Sequence, residues 1–196
     1  MKRFLSTGLA AVFAFSLIAC GGGDSGAQAD AEQTATPLAE SAPAAQLTVP
    51  DWMTVDNAAQ TVTMDIVAAG TDANNGWNFN GFYNGNATIV VPAGYTITIN
   101  FQNDDQANPH SLGIDPSAGG SWPAMFDDPQ PVFEGAMTEN PTDMASATMP
   151  GESESITFVA DAAGEYTMVC YTPAHAATGM WIFFTVSAEG EAGLDS

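Results

Sequence analysis

The residues best suited to bind a metal ion lie mostly near the C-terminal end of the chain. Cys170, His175 and Met180 follow one another with the spacing Cys-x4-His-x4-Met, so a single loop between two strands can present all three side chains at one point. His110 lies elsewhere, in the segment Asn108-Pro-His-Ser-Leu at the start of an expected strand. Because the chain contains only two histidines and two cysteines, these side chains predict one metal site.

The chemical types of these side chains favour copper. A thiolate and two imidazoles form a trigonal copper site, and a thioether can act as a long, weak axial ligand. Zinc accepts a cysteine and two histidines, but a structural zinc site takes four strong ligands, and Met180 is a poor fourth one. Taken singly, each residue also has an ordinary structural interpretation, because buried cysteines are often inert and methionines fill core space. Taken together, they predict a copper site.

The N-terminal residues predict export and lipid attachment. Lys2 and Arg3 precede an apolar run that ends in Leu17-Ile-Ala-Cys20. A basic start, an apolar stretch and a small-residue ending are typical of a signal peptide. The ending resembles the bacterial lipobox, so residues 1–19 are predicted to be a lipoprotein signal peptide and Cys20 to carry the lipid. An ordinary secretory signal with an incidental cysteine is the alternative. With Cys20 assigned to lipid, Cys170 is left as a single free thiol.

The charge balance limits the possible partners. The formal net charge is -21, and the only two basic residues, Lys2 and Arg3, lie in the predicted signal peptide. A mature chain without lysine or arginine cannot neutralise phosphates, so nucleic acid is excluded as a partner. We expect a protein partner with a basic or otherwise complementary face. Self-repulsion of the acidic surface also indicates a saline habitat, with an acidic habitat as the alternative.

The organisation along the chain predicts one all-β domain behind a tether. Residues 20–46, rich in Gly, Ala, Ser, Gln, Thr and Pro, form a lipidated cysteine and a flexible, disordered linker. Residues 47–188 form the domain, and residues 189–196 an acidic C-terminal tail. Short alternating segments predict an antiparallel β-sandwich. The expected strands are Thr61–Val67, Tyr95–Phe101, Ser153–Val159, Glu165–Val169 and Trp181–Val186, with a long irregular excursion from Asp115 to Gly151.

The loop Cys170-Tyr-Thr-Pro-Ala-His-Ala-Ala-Thr-Gly-Met180-Trp resembles the ligand loop of the cupredoxins, the type 1 blue-copper proteins. The chain is most similar to the sulfocyanin group and more distantly similar to rusticyanin and plastocyanin. Further matching segments are Trp77-Asn-Phe-Asn-Gly, Asn84-Gly, Val91-Pro-Ala-Gly, Asn108-Pro-His-Ser and Gly164-Glu-Tyr, which together cover about residues 60–187. The sequence departs from the family at Tyr171, where many relatives have glycine, and in its lack of basic residues.

The resemblance implies a Greek-key β-sandwich with one type 1 copper ion, Cu(I) or Cu(II), near one end. It implies that His110, Cys170, His175 and axial Met180 are the ligands. Ser111 is similar in position to the family residue that hydrogen-bonds near the thiolate. The edge of the second histidine, His175, is expected to reach the surface as the electron port, within a small apolar patch of Ala174, Ala176 and Ala177.

Three classes of function follow from these residues. The first is a membrane-tethered blue-copper carrier that shuttles single electrons between respiratory-chain partners such as a haem protein, a respiratory complex or a terminal oxidase. It would be lipid-anchored, monomeric, and face the periplasm or the outside. The second is an exported copper chaperone or storage lipoprotein. An enzyme is not expected, because multicopper catalysis needs further histidines and a binuclear copper centre needs a second cysteine in the loop.

Four further methionines in the excursion suggest another possibility, extra Cu(I) binding by thioethers. Their spacing follows no motif, so we favour flexible packing near the copper end. These residues are Met125, Met137, Met144 and Met149.

Overall fold

The computed structural model describes residues 47–196. The predicted signal peptide, Cys20 and the linker lie outside the described residues. Nine strands form the domain, together with short turns of 3-10 helix at Ala73–Gly76 and Ala176–Thr178. The strands are β1 (Met53–Asp56), β2 (Thr61–Ala68), β3 (Thr88–Pro92), β4 (Thr96–Asn103), β5 (Gly113–Asp115), β6 (Ser153–Val159), β7 (Gly164–Val169), β8 (Trp181–Ser187) and β9 (Gly193–Asp195).

The strands form two sheets around one core, which confirms the expected all-β, Greek-key sandwich. One sheet has the order β1-β2-β4-β6 and the other β5-β7-β8-β3-β9. The alternation in β2 places Val62, Met64 and Ile66 in the core and leaves Thr63 and Asp65 exposed. Side chains from both sheets join in a single buried cluster. Burial of one face of each sheet is the main driving force for this arrangement.

The expectation of an antiparallel sandwich was wrong for two strand pairs. β2 pairs in parallel with β4, and β3 pairs in parallel with β8. All other strand pairs are antiparallel. A parallel pair needs a connection long enough to return the chain to the same end, and here residues 69–95 join β2 to β4 and residues 93–180 join β3 to β8, each by way of intervening strands. Local alternation reports which face of a strand is buried and says nothing about the direction of its neighbour.

The excursion contains no strand between β5 and β6, as predicted. It runs along the free edge of β5, where Ile114 donates to Ala136 O at 3.0 Å and accepts from Val132 N at 2.8 Å. Phe133 inserts from the excursion into the core and stacks on Phe158 with ring centroids 5.5 Å apart. The excursion therefore covers a sheet edge that would otherwise expose unpaired backbone groups.

The C-terminal residues correct the predicted acidic tail. Gly193–Asp195 form β9, which pairs with β3. Thr48 exchanges backbone hydrogen bonds with Leu194 at 3.1 and 2.7 Å. Leu194 is only 6% exposed and belongs to the main core. The acidic neighbours indicated a solvated tail, whereas this one apolar side chain holds the segment against the sheet.

No helical segment within residues 47–196 is long and apolar enough to cross a bilayer.

Replacing Leu194 with alanine tests the structural role of β9. Loss of a buried leucine side chain removes apolar burial and leaves a cavity, so Leu194→Ala should lower the free energy of unfolding by about 2–3 kcal/mol. Denaturant unfolding of the copper-free protein measures this change. Asp195→Ala, at the exposed neighbouring position, is the control and should change stability by less than about 0.5 kcal/mol. Equal, small effects of both substitutions on the free energy of unfolding would show that β9 does not stabilise the domain.

Candidate metal centre

The ends of two paired strands position the loop that carries three of the predicted ligands. Cys170 directly follows β7 and Met180 directly precedes β8, and these strands pair antiparallel up to Val169 and Trp181. The Cys170 N–H donates to Met180 O at 3.1 Å, which continues the ladder by one step. The loop between them closes on itself, because Met180 N–H donates to His175 O at 3.0 Å. The sandwich therefore fixes both ends of the ligand loop.

His110 reaches the same point from another part of the chain. It lies between β4 and β5 and forms an isolated bridge with Thr148 of the excursion. Its N–H donates to Thr148 O at 3.0 Å. Both the imidazole of His110 and the thiol of Cys170 are completely buried. The excursion thus supports the segment that delivers the first histidine.

The three nitrogen and sulfur donors converge. The Nδ1 atoms of His110 and His175 are 3.1 Å apart. Cys170 Sγ lies 3.9 Å from His110 Nδ1 and 3.5 Å from His175 Nδ1. Donor atoms that share one metal at about 2.0–2.3 Å are separated by about 3–4 Å, so this cluster fits a single ion. The side chain of Met180 is completely buried in the same core cluster as Cys170.

The cluster favours the thiolate form of Cys170. Burial by itself raises the pKa of the thiol, but the hydrogen bonds and positive charge of His110 and His175 outweigh it and hold the pKa well below its usual range. Burial likewise lowers the pKa of His110, whereas Cys170 and Asp105 together raise it above the ordinary value. A thiolate is the form of cysteine that binds metals.

Asp105 orients the first histidine. Its Oδ2 lies 3.1 Å from His110 Nε2, and this is the one ion pair among residues 47–196. Partial burial raises the pKa of Asp105, but hydrogen bonds from the N–H groups of Ala107 and Asn108 and from His110 lower it to about 2. An ionised carboxylate can only accept, so Nε2 carries the proton. The unprotonated Nδ1 of a neutral ring then faces the donor cluster, as a metal site requires.

Ser111 connects the two segments of the site. Its backbone N–H donates to Cys170 Sγ at 3.4 Å, and its hydroxyl lies 3.7 Å from the same sulfur. The hydroxyl oxygen also accepts hydrogen bonds from the N–H groups of Tyr171 at 2.9 Å and Thr172 at 3.2 Å. One buried side chain therefore holds the two backbone N–H groups that directly follow the thiol.

Comparison with known proteins assigns the family. The family model of the sulfocyanin (SoxE) domain matches residues 50–192. The chain belongs to the sulfocyanin family. It is 30% identical over 131 residues to the sulfocyanin of Sulfolobus acidocaldarius, and the match covers 65% of this chain and 64% of that protein. The chain thus spans slightly less than two thirds of the length of this relative.

Two solved structures are among its matches. Dithionite-reduced auracyanin from Roseiflexus castenholzii is 31% identical, with a TM-score of 0.41, and the match covers 64% of this chain and 96% of that one. Rusticyanin from Thiobacillus ferrooxidans is 23% identical, with a TM-score of 0.44 and coverage of 69% and 88%. The resemblance to the cupredoxins and to the sulfocyanin group is confirmed by the family model. Family and donor chemistry together identify the cofactor as one type 1 copper ion.

Tyr171, the position at which the sequence departs from many relatives, is completely buried. Its hydroxyl donates to Asp115 Oδ2 at 3.1 Å, and burial together with this carboxylate raises its pKa. The ring occupies the space above Gly113, where an added Cβ would lie 2.5 Å from Tyr171 Cε2. The large residue beside the thiol is therefore accommodated by a glycine on the neighbouring strand β5.

His175 corrects the expected electron port. Its side chain is 1% exposed, and Ala176 is 2% exposed. Of the predicted apolar patch, only Ala174 and Ala177 are exposed. Trp77 packs against the imidazole of His175, with ring centroids 3.8 Å apart. The sequence did not predict this contact, because Trp77 is distant from His175 in the chain and stood out only as part of a segment that resembles the family.

The four excursion methionines have different surroundings. Met137 packs with Tyr171 and Val169. Met125 and Met144 are 71% and 48% exposed. Of these methionines, Met137 packs near the copper end as predicted. The exposed positions of Met125 and Met144 give no support to extra Cu(I) binding.

Replacing Asp105 with asparagine tests the orientation of His110. A neutral amide no longer holds a negative charge 3.1 Å from Nε2, so Cu(II) loses more stabilisation than Cu(I) and the reduction potential should rise. A tenfold preferential loss corresponds to about 59 mV. Equilibrium titration with a redox mediator measures the potential. Asp104→Asn is the control, because it removes the same charge from an exposed neighbour that contacts Gln102. An equal rise of the reduction potential in both variants would show that the loss of one negative charge near the site, and not the contact with His110, causes the change.

Removing the Ser111 hydroxyl tests its structural role without copper. Ser111→Ala leaves the buried N–H groups of Tyr171 and Thr172 without their acceptor, and each unsatisfied buried group costs about 1–3 kcal/mol. We expect the copper-free protein to lose at least about 2 kcal/mol of unfolding free energy. Ser117→Ala, at an exposed turn, is the matched control. Unchanged stability of Ser111→Ala would show that water or another group replaces the hydroxyl.

Proposed function

We propose that this protein is a membrane-tethered blue-copper electron carrier that shuttles single electrons between respiratory-chain partners. The observation that supports it most directly is the buried convergence of His110, Cys170 and His175, with donor atoms within 4.8 Å of one another. We propose these three residues and axial Met180 as the ligands of the type 1 ion. Copper held there supplies a one-electron couple between Cu(I) and Cu(II).

The chain's own contribution is to keep the donors nearly fixed in both oxidation states. Cys170 is held by the backbone of Met180 and by Ser111. His110 is held at both ends, by Asp105 at Nε2 and by Thr148 at its N–H. Support of this kind by hydrogen bonds around the ligands preserves geometry and tunes the metal. Little rearrangement between two redox states is what fast electron exchange needs.

We further propose that the protein is a carrier and has no substrate. Both histidines between residues 47 and 196 already lie in the donor cluster. The donors are 0–1% exposed, so an ion bound between them would be shielded from solvent. Two surface clefts of about 630 Å³ lie elsewhere, one lined by residues of β3 and β8 and the other by residues of β6 and the excursion.

The tether and the partners are part of the same proposal. The ending Leu17-Ile-Ala-Cys20 supports export and lipid attachment at Cys20, facing the periplasm or the outside. A domain without lysine or arginine supports a redox partner with a basic docking face, such as a haem protein, a respiratory complex or a terminal oxidase.

The visible spectrum of the Cu(II)-loaded protein tests the carrier function. Residues 47–196 should show an intense blue thiolate-to-copper band that bleaches reversibly with a reductant. Cys170→Ser should abolish the band, because an alcohol replaces the thiolate. Thr172→Ser is the loop control and should keep the band. A colourless protein that binds Cu(I) would instead support copper handling by a chaperone or storage protein.

Replacing Cys20 with serine tests the tether separately. The wild-type chain, produced in a bacterium with lipoprotein processing, should fractionate with membranes and incorporate radiolabelled palmitate. Cys20→Ser has no thiol to acylate and should incorporate no palmitate, whereas Ser16→Ala should be labelled like the wild type. Wild-type protein that is soluble and unlabelled would contradict the anchor and leave the copper site unaffected.

A further inference from the structure

The imidazole that was expected to reach the surface is covered by one aromatic side chain. The Trp77 and His175 rings are nearly perpendicular, at 86°, with centroids 3.8 Å apart. Trp77 also lies edge-on to His110, with centroids 6.0 Å apart. His175 is 1% exposed, whereas Trp77 is only partly buried. The indole therefore packs against His175, lies edge-on to His110 and is itself partly exposed to solvent.

The segment that carries Trp77 is built to stay in this place. Asn74 and Asn75, just before it, have φ angles of 50° and 57°, the left-handed region that asparagine tolerates better than most residues. Asn74 Nδ2 donates to Trp77 O at 2.9 Å and to Thr178 O of the ligand loop at 3.0 Å. One side-chain amide thus joins the backbone of Trp77 to the loop that carries His175.

A second contact joins the same two regions. The Asn84 N–H donates to Gly179 O at 2.8 Å. Gly179 has a φ of 106°, and an added Cβ there would lie 2.4 Å from Asn84 Oδ1. Residues 74–84, which we term the cover segment, are therefore in close contact with the ligand loop on both sides of Trp77.

We propose that Trp77, rather than the edge of His175, is the surface group through which electrons enter and leave the copper site. This inference rests on the proposed carrier function. Electron tunnelling weakens steeply with distance, and a docked partner cannot touch a buried imidazole. The indole shortens the gap by presenting a conjugated ring at the surface. One electron passes between the partner and the copper ion, no proton or bond is transferred, and Trp77 itself is neither oxidised nor reduced.

Exposed residues of the ligand loop and the excursion suit a brief encounter with a redox partner. Ala174 and Ala177 of the ligand loop and Ala124 of the excursion are exposed and uncharged, and the Ala174 N–H donates to Ala124 O at 2.6 Å. These small, uncharged side chains on the loop that carries His175 allow close approach without desolvation of a charged group.

Electron self-exchange of the copper-loaded full chain, measured by NMR line broadening in mixtures of the two oxidation states, tests the proposal. Trp77→Ala should slow exchange at least about tenfold, equivalent to about 1.4 kcal/mol in activation free energy. Trp77→Phe, which keeps an aromatic ring, should remain close to wild type. Trp52→Ala, at the start of β1, is the matched control and should not change the rate.

The reduction potential and the blue band, recorded for each variant, show whether the copper site itself is preserved. With the site preserved, an unchanged or faster rate in Trp77→Ala would overturn the proposal, because the indole would then be a shield or a bystander. Wild-type protein that exchanges no electrons even at high ionic strength, where the repulsion between acidic copies is screened, would instead refute the carrier function, whatever the variants do.

A copper-free measurement tests the cover independently. Diethyl pyrocarbonate acylates accessible imidazoles, and mass spectrometry locates the modified residue. His175 should react slowly in the wild-type protein and in Trp52→Ala, and at least about tenfold faster in Trp77→Ala, again about 1.4 kcal/mol. Equal reactivity of His175 in all three proteins would show that Trp77 does not cover it, and would overturn the proposal.

Discussion

The hydrogen bonds of Ser111 join two segments that are 59 residues apart, the one that carries His110 and the one that carries Cys170. The serine hydroxyl accepts hydrogen bonds from the two backbone N–H groups that follow Cys170, and the serine backbone N–H donates to the sulfur of Cys170. A buried cluster of two imidazoles and a thiol is costly unless every polar group is partnered. The sandwich, the excursion beside β5 and the pairing of β7 with β8 all serve to bring these two segments together.

The strands with clear alternation could be predicted from sequence. Ser153–Val159 is observed with the predicted bounds, and Thr61–Val67 differs from β2 by one residue. Strands β1, β3 and β9 were missed, the last two for different reasons. β3 is a nearly continuous apolar run without period-two alternation, and β9 is three residues long among acidic neighbours. Their pairing depends on partners far away in the chain, which local patterns do not report.

The site was predictable to a different degree for each kind of residue. His110, Cys170 and His175 were found from their scarcity, their spacing and the resemblance to the ligand loop, and the structure brings them together. Asp105 was missed, although an acidic residue shortly before a candidate ligand is a readable signal. The burial of His175 was not readable, because it depends on Trp77 and on the left-handed turn at Asn74 and Asn75.

The central claim is that the folded chain holds one sulfur and two imidazole nitrogens around a single copper ion in both oxidation states. X-ray absorption fine structure at the copper edge tests it most directly, because it measures the nearest neighbours of the ion in Cu(I) and Cu(II) samples of the same protein. We expect one short copper–sulfur distance and two copper–nitrogen distances that barely change on reduction. A shell without sulfur, or one that gains or loses a ligand between the two states, would contradict the claim.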